Sequence, residues 1–381
     1  MARVAANIAA KLAADVYGVQ DSIDLNLFMM SPQFSQKKGD QTALAGEVGS
    51  RLVNTRDSFA VCARGAGEYA NDVFLMFRGT TTSNYGADIV TDLRCGLSVS
   101  KTGSFVHSGF NQVFSSLCGD LARFLAGQTG VTAVHCIGHS LGGAVASLAA
   151  DWVKDKFSVK TQLYTFGAPR VGFGVGGFGQ ALTSKLKAEN IYRMYHSTDP
   201  VPMVPVFPYS HAPTSGRAYY MQFGGILINL SAHKMRNYIG SIKGNDWEAV
   251  YQPNPIQNSA AAIKAWLTSD SADTVQSSSF WEKLNFALSH VIQMLIAKTQ
   301  AVVVGALTIA DHLAIILKKG IQLGGEAATW VFLLIKRMMR ALGMKVAETI
   351  EELTEALIRM VLNRITERIA REVRKAIEHM L

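Results

Sequence analysis

Residues 131–156 read VTAVHCIGHSLGGAVASLAADWVKDK, an apolar run that leads through Gly138-His139-Ser140-Leu141-Gly142 into a helix-like stretch. This order predicts a strand, a tight turn and a helix, with the hydroxyl of Ser140 exposed above the sheet. The turn crowds the backbone, so the positions two before and two after the serine must be glycine. The helix start also directs its N–H groups at developing negative charge. The stretch therefore predicts a serine nucleophile in an α/β protein.

Further short apolar runs alternate with helix-like stretches on both sides of this segment. The strand-like runs are 59–63, 73–77, 131–137, 162–166 and 191–195, and the helix-like stretches are 110–125, 140–156 and 178–186. The first two runs flank a loop rich in Gly, Asn and Asp, which predicts a strand pair. The alternation predicts an α/β fold: a mostly parallel sheet with helices on both faces.

The distribution of proline divides the chain. It has 381 residues and nine prolines, and none of the prolines lies after residue 255. Because proline breaks helix interiors, its absence predicts an all-helical C-terminal region. Residues 251–279 shift to Pro, Asn, Ser and Asp around a short apolar insert. We therefore expect an α/β domain at 1–250, a linker at 251–279 and a helical region at 280–381.

Charge and hydropathy restrict the functional classes. The chain is 49% hydrophobic with a net charge of +8 and a mean hydropathy of +0.15, which excludes a disordered protein. Residues 282–381 carry 14 Lys and Arg against 10 Asp and Glu, between apolar stretches too short to span a membrane. Three interpretations stay open: a packed helical bundle, a membrane-seated module on anionic headgroups, or a surface for oligomerisation or a carrier protein. Nucleic-acid binding is disfavoured, because the cations lack interleaved aromatic residues.

Cysteine usage and the N-terminus give two further expectations. The four cysteines have no metal-ligand spacing and are expected to be small buried hydrophobes. Because a serine nucleophile with a base and an acid requires neither a metal nor an organic cofactor, none is expected. Residues 1–16 lack an unbroken apolar core and predict a surface helix rather than a signal peptide.

A serine nucleophile needs a base and an orienting acid, which in sheet hydrolases follow it in the order acid, then histidine. Asp199 follows the strand-like run 191–195 and is expected at the same sheet edge as Ser140. The alternative is an aspartate that only shapes an Asp-Pro turn. Six histidines follow Ser140, at positions 196, 211, 233, 290, 312 and 379, and the residues alone leave the choice of base open among them.

An ordered set of motifs resembles the class 3 lipases of the α/β-hydrolase superfamily over roughly residues 2–241. In chain order the motifs are Phe77-Arg78-Gly79-Thr80, Asp92-Leu93, His107-Ser108-Gly109-Phe110, Gly138 to Gly143, Thr165 to Gly172, Asp199-Pro200-Val201-Pro202, and His233 with Tyr238.

The resemblance implies a role for each matching residue. Ser140 matches the nucleophile, Asp199 the acid and His233 the base, with His211 in reserve. Thr80 and the backbone N–H of Leu141 match the two oxyanion-hole donors. Only 34 positions separate the acid from the base, which is short for the family. We therefore expect a trimmed loop and a more open acyl pocket.

Residues 81–104 resemble the lid of this family. Ile89, Val90, Leu93 and Leu97 fall on one face of a predicted helix that would open onto lipid. The alternative is an ordinary amphipathic surface helix.

Together these features predict a serine hydrolase of lipid esters that acts on glycerolipids, with phospholipids preferred to storage fats. The resemblance further suggests a bacterial lipase effector, made in the cytoplasm, exported by a non-Sec route and membrane-associated. The partners expected are a lipid substrate and a membrane surface, with a carrier or immunity-type protein or a second copy left open. Two alternatives remain: a soluble carboxylesterase with a structural bundle, or a membrane-inserting or carrier-binding protein in which hydrolysis is secondary.

Overall fold

The computed structural model describes residues 3–19, 22–50, 53–79, 96–174, 176–271, 273–299 and 308–379. The strands in this part are β1 (Gln41–Ser50), β2 (Val53–Arg64), β3 (Asp72–Phe77), β4 (Leu97–Val99), β5 (Phe105–His107), β6 (Ala133–His139), β7 (Lys160–Phe166), β8 (Gly172–Phe173), β9 (Ile191–His196), β10 (Tyr209–Ser210) and β11 (Tyr219–Met221). The helices up to residue 250 are α1 (Ala6–Asp15), α2 (Ser22–Met29), α3 (Ser108–Ala126), α4 (Leu141–Phe157), α5 (Phe178–Leu186), α6 (Met235–Ile242) and α7 (Trp247–Val250). The later helices are α8 (Ala260–Thr268), α9 (Ser278–Thr299), α10 (Ile309–Gln322), α11 (Gly325–Ala341) and α12 (Glu355–Glu378).

Seven strands form the main sheet in the order β1-β2-β3-β6-β7-β9-β11. The pairs from β3 to β11 are parallel, and β1, β2 and β3 are joined by antiparallel pairs. The predicted strand pair at 59–63 and 73–77 is the β2–β3 pair. A smaller sheet has the order β10-β8-β5-β4. The expected mostly parallel sheet is confirmed.

Both faces of the main sheet are buried, which explains why its strands read as unbroken apolar runs. In β3, Phe74 and Met76 point into one apolar core, whereas Val73 and Leu75 point into the other. The first core lies under α1, α6 and α7, and the second lies under α3, α4 and α5. Helices therefore cover both faces, as expected.

The helices after residue 250 continue the second of these cores. Side chains of α9, α11 and α12, such as Trp281, Trp330 and Ile365, belong to the same apolar cluster as Phe110 of α3. The helical C-terminal region is confirmed, and the expected linker contains helix α8. The boundaries at 250 and 279 stay predictions. Among the described residues, none of the helices has the length and apolar character to cross a membrane.

Two local expectations differ from the structure. Leu97 belongs to strand β4, which pairs with β5, so its place on a helical face was wrong: the helical spacing ran on into a strand. The N-terminal helix α1 is not confined to the surface, since Ala6, Ala9, Ala10 and Ala13 are fully buried. Small side chains at this spacing allow the helix to pack closely on the sheet. Ile89, Val90 and Leu93 lie outside the described residues.

Candidate active site

The turn after β6 has the tight geometry that its sequence predicts. Ser140 has φ 56° and ψ −132°, a strained conformation that places it between strand β6 and helix α4. A Cβ on Gly138 would lie 2.3 Å from the carbonyl oxygen of Gly142, and one on Gly142 would lie 2.2 Å from that of Phe77. The expected need for glycine at both positions is confirmed.

Ser140, His233 and Asp199 form a continuous hydrogen-bonded chain at the carboxyl ends of the parallel strands. The Ser140 Oγ lies 2.8 Å from His233 Nε2, and His233 Nδ1 lies 2.8 Å from Asp199 Oδ2. Asp199 follows strand β9, and His233 ends a short 3-10 turn, Leu230–His233. All three side chains are almost fully buried, so the expectation that the Ser140 hydroxyl is exposed above the sheet was wrong.

The hydrogen-bond partners of the His233 ring indicate which of its two nitrogens carries the hydrogen. An ionised carboxylate only accepts hydrogen bonds, so Nδ1 carries the hydrogen that is donated to Asp199. Nε2 then presents its lone pair and accepts from the hydroxyl of Ser140. This is the arrangement in which an imidazole can remove the proton of a serine.

Asp199 is held by two further donors. The phenol of Tyr238 donates to Oδ2 at 2.7 Å, and the backbone N–H of Val201 donates to Oδ1 at 2.9 Å. Gly167, with φ +54°, leaves room for this cluster, because a Cβ there would lie 2.8 Å from Asp199 Oδ2. Burial raises the pKa of Tyr238 far above its usual value, as does the nearby Asp199 charge, so the phenol keeps its proton.

His139 holds the backbone of His233. Its Nε2–H donates to the carbonyl oxygen of His233 at 2.8 Å, and its Nδ1 accepts from the hydroxyl of Tyr17 at 2.8 Å. Burial lowers the pKa of His139 well below its ordinary value, and the neighbouring His233 adds to this effect. The neutral ring therefore acts as a structural link from the N-terminal part of the chain to the His233 turn.

His196 supports the same turn from the other side. Its Nδ1–H donates to the carbonyl oxygen of Ala232 at 2.6 Å, and its Nε2 accepts from the hydroxyl of Ser241 at 2.9 Å. The ring is stacked on that of Tyr238, with centroids 3.9 Å apart. Sequence reasoning did not single out Tyr17, His139 or His196 for a role. Only His139 had a signal, its place beside the serine.

A scan against known families identifies the sheet region. Residues 74–209 match the family described as "Lipase (class 3)". Residues 74–209 belong to the class 3 lipase family. This class 3 lipase segment includes Ser140 and Asp199, and His233 follows it in the chain.

Relatives match parts of the chain. The Secreted mono- and diacylglycerol lipase 1 of Fusarium solani is 40% identical over 115 residues, which are 29% of this chain and 33% of that protein. The toxin TseL of Vibrio cholerae serotype O1 is 34% identical over 104 residues, 27% of this chain and 15% of that protein. The chain thus spans about a third of the fungal lipase. A crystal structure of Lip2 lipase from Yarrowia lipolytica aligns at 22% identity with a TM-score of 0.40, covering 59% of this chain and 81% of that one.

The other residues predicted for the site are Leu141, His211 and Thr80. Leu141 is the first residue of α4, where a backbone N–H has no intrahelical acceptor. His211, the reserve base, donates from Nε2 to the carbonyl oxygen of Pro202 at 2.8 Å, whereas the ring bonded to Ser140 is that of His233. Thr80 and residues 81–95 lie outside the described residues, as does most of the expected lid.

A second buried His–Asp pair lies elsewhere on the sheet. His135 Nε2 lies 3.1 Å from Asp72 Oδ2, and the hydroxyl of Tyr164 lies 3.4 Å from His135 Nδ1. Across the part of the chain that the structure describes, no group of three His, Cys, Asp or Glu side chains is suited to hold a metal ion.

Proposed function

We propose that the chain is a serine hydrolase of lipid carboxylic esters, with Ser140, His233 and Asp199 as its catalytic triad. The observation that carries the proposal is the continuous hydrogen-bonded chain from Ser140 Oγ through the His233 ring to Asp199 Oδ2. Membership of residues 74–209 in the class 3 lipases supports an ester as the substrate.

The proposed mechanism uses only groups of this chain. His233 accepts the Ser140 proton as the hydroxyl attacks the ester carbonyl, and then gives this proton to the leaving alcohol oxygen. Asp199 holds the imidazole in the correct tautomer and stabilises its cation, while Tyr238 and the N–H of Val201 keep the carboxylate in place. Water then attacks the acyl-enzyme, with His233 as base and Ser140 as leaving group.

Two donors are proposed for the oxyanion of the tetrahedral intermediate. The N–H of Leu141 stands at the start of α4, where the helix dipole favours negative charge. Thr80 is proposed as the second donor from the resemblance of Phe77-Arg78-Gly79-Thr80 to the family motif. Loss of one such donor typically lowers turnover by about 10² to 10³.

The substitution Ser140→Ala tests the proposal. We expect it to abolish hydrolysis of a short-chain nitrophenyl ester and to leave the thermal unfolding midpoint within a few degrees. Ser147→Ala is the matched control, since Ser147 is buried in helix α4, which begins right after Ser140, and its hydroxyl donates to the Gly143 carbonyl oxygen of the same helix. Retained turnover in Ser140→Ala, or equal loss in both variants, would contradict the assignment.

Glycerolipids are the proposed substrate class, with phospholipids preferred to storage fats. The name of the fungal relative supports glycerolipid esters, and the cationic C-terminal third favours an anionic lipid surface. Mass spectrometry of lipids after incubation with mixed micelles of phosphatidylglycerol and triacylglycerol, wild type against Ser140→Ala, tests both statements. Faster release of fatty acid from triacylglycerol would overturn the phospholipid preference.

A role as an exported, membrane-associated bacterial effector is a further part of the proposal. It is supported by the relative that is named a toxin. We expect that expression of the chain in a bacterial periplasm slows growth, and that expression of the Ser140→Ala variant there does not. Equal growth of the two cultures would contradict an effector role and leave the esterase assignment standing.

A further inference from the structure

The segment that leads into the His233 turn is paired with residues 276–278, at the end of the expected linker and the start of α9. Ile228 N–H donates to the carbonyl oxygen of Gln276, and Ser278 N–H donates to that of Ile226, both at 2.9 Å. Leu227 and Ser277 form an antiparallel bridge between these two bonds. Residues 226–228 and 276–278 therefore make a short two-stranded strap.

The strap is linked to both sides of the proposed triad. Next to it, Asn229 N–H donates to the carbonyl oxygen of Thr198, the residue before Asp199, at 3.0 Å. Helix α12 packs against the turn Leu230–His233 and against the turn Val201–Met203 that follows Asp199. Helix α12 of the C-terminal region thus contacts both the turn that ends at His233 and the turn that follows Asp199.

The loop after Asp199 is also held from two directions. From the sheet side, the Arg170 guanidinium donates to the carbonyl oxygens of Met203 and Pro205. From the C-terminal side, Oδ1 of Asn285 on α9 accepts from the N–H of Phe207 at 2.9 Å. Asn285 thereby satisfies a backbone donor of a loop that begins at the proposed acid.

Charged side chains of α9 and of β9, the strand before Asp199, line the same cavity. Arg193 on β9 is partly buried, its guanidinium lies 4.1 Å from the Tyr195 ring, and its Nε has no hydrogen-bond partner among the described residues. Glu282 on α9 accepts from the amide of Asn254, and burial raises the pKa of its carboxyl against the opposing charges of Arg193 and Arg170. Burial lowers the pKa of Arg170 to about 9, an effect that the charge of Arg193 increases and that of Glu282 opposes.

A cavity of about 620 Å³ lies between the two regions here. Asp199, Arg193 and Arg170 line it from the sheet side, and Glu282 and Asn285 line it from α9. The loop after Asp199 borders this cavity on one side and packs its apolar side chains into the core on the other, so its polar contacts add to close packing.

We infer that the C-terminal helical region helps to set the geometry of the active site. Asn285 and Glu282 are positioning residues for the loop after Asp199. The strap formed by residues 226–228 and 276–278 positions the His233 turn. The inference rests on the proposed triad. Neither residue touches Ser140, His233 or Asp199 in the contacts described above; each acts through the loop backbone or the β9 strand. A small displacement of a reacting group can lower turnover by about 10²-fold while substrate binding is kept.

The experiment uses the full chain with substitutions on α9. In Asn285→Ala, kcat for a short-chain nitrophenyl ester is expected to fall about tenfold while KM stays within twofold. Asn285→Asp keeps the acceptor oxygen and is expected to restore kcat to within threefold of wild type. Lys283→Ala is the matched control, because Lys283 is on the same helix and pairs at 2.7 Å with Asp273, within the C-terminal region. It is expected to leave kcat unchanged.

The inference is overturned if Asn285→Ala has the kcat of wild type, or if its loss equals that of Lys283→Ala. It is also overturned if Asn285→Asp fails to recover turnover. Should Asn285→Ala not fold, Glu282→Gln carries the same prediction, since it removes the charge and keeps the shape. A wild type that does not turn over the ester at all would instead overturn the proposed function.

Discussion

Two buried histidine–aspartate pairs lie on the same parallel sheet, and they differ in what surrounds them. His233 and Asp199 meet at the carboxyl ends of the strands, next to Ser140. His135 and Asp72 meet near the starts of β6 and β3, roughly 16 Å along the strand from the serine at about 3.3 Å per residue. Each pair has a tyrosine hydroxyl nearby, Tyr238 or Tyr164.

The two pairs differ in the features that separate the proposed catalytic arrangement from a structural one. Burial, a His–Asp hydrogen bond and a tyrosine are common to both pairs, so none of these features alone makes an active site. What distinguishes the His233 pair is the Ser140 hydroxyl on the second ring nitrogen, because a hydroxyl can attack a substrate. This hydroxyl also lies at the sheet edge where ligands of open α/β sheets bind. The His135 pair is expected to contribute stability alone.

The largest contrast is expected between two aspartate substitutions. Asp199→Asn should lower kcat by about 10⁴ because the imidazole loses its orienting acceptor and adopts the wrong tautomer. Asp72→Asn should leave kcat within twofold and lower the free energy of unfolding by about 1–3 kcal/mol, as expected for a damaged buried hydrogen bond. Ester kinetics and urea unfolding of both variants measure these effects. A similar loss of kcat in the two variants would remove the distinction.

A smaller contrast is expected between the two tyrosines. Tyr238→Phe removes a hydrogen bond to a charged carboxylate, which is worth about 1.5–3 kcal/mol, and kcat should fall about tenfold or more. Tyr164→Phe removes a hydroxyl that accepts from the N–H of Val4 and should not change kcat. The two variants are compared by steady-state kinetics at matched protein stability. An unchanged kcat in Tyr238→Phe would show that Asp199 does not need this donor.

The smallest effect concerns the pH dependence of stability. Burial lowers the pKa of His135 below its ordinary value of 6.5, against the opposing effect of Asp72, so the folded protein keeps this ring neutral. Below pH 6.5 the unfolded chain binds a proton there that the folded chain does not. The free energy of unfolding therefore falls as the pH falls, by up to about 1.4 kcal/mol per pH unit for each such histidine.

His135→Asn removes this contribution. Its free energy of unfolding should be lower at pH 7 but should depend less steeply on pH between 7 and 5. Burial also lowers the pKa values of the buried His139 and His196 and of the partly buried His211, so these three histidines keep the remaining slope. Denaturant unfolding at several pH values checks this, and equal slopes in the variant and wild type would contradict it.

Sequence alone was sufficient where the information is local. The glycines around Ser140 are needed because the backbone of the same turn approaches them, so their spacing is visible in five residues. The parallel sheet followed from apolar runs that alternate with helix-like stretches. Leu97 shows the limit of this reasoning, because a helical spacing also fits a short strand.

Contacts between distant residues could not be predicted in this way. Tyr17 reaches His139 across 122 positions, and Phe207 reaches Asn285 across 78. Neither pair has a spacing or composition that marks it, since such contacts depend on how complete elements pack. The choice of His233 over His211 likewise came from the family resemblance, and the structure places the His233 ring against Ser140.

The most direct test of the account is covalent labelling with an alkyl fluorophosphonate, followed by peptide mapping by mass spectrometry. The account predicts one adduct, on Ser140, formed at the same rate in wild type and Asp72→Asn and far more slowly in Asp199→Asn. An adduct on another residue, no adduct in wild type, or equal rates in all three proteins would contradict the assignment of Ser140, His233 and Asp199.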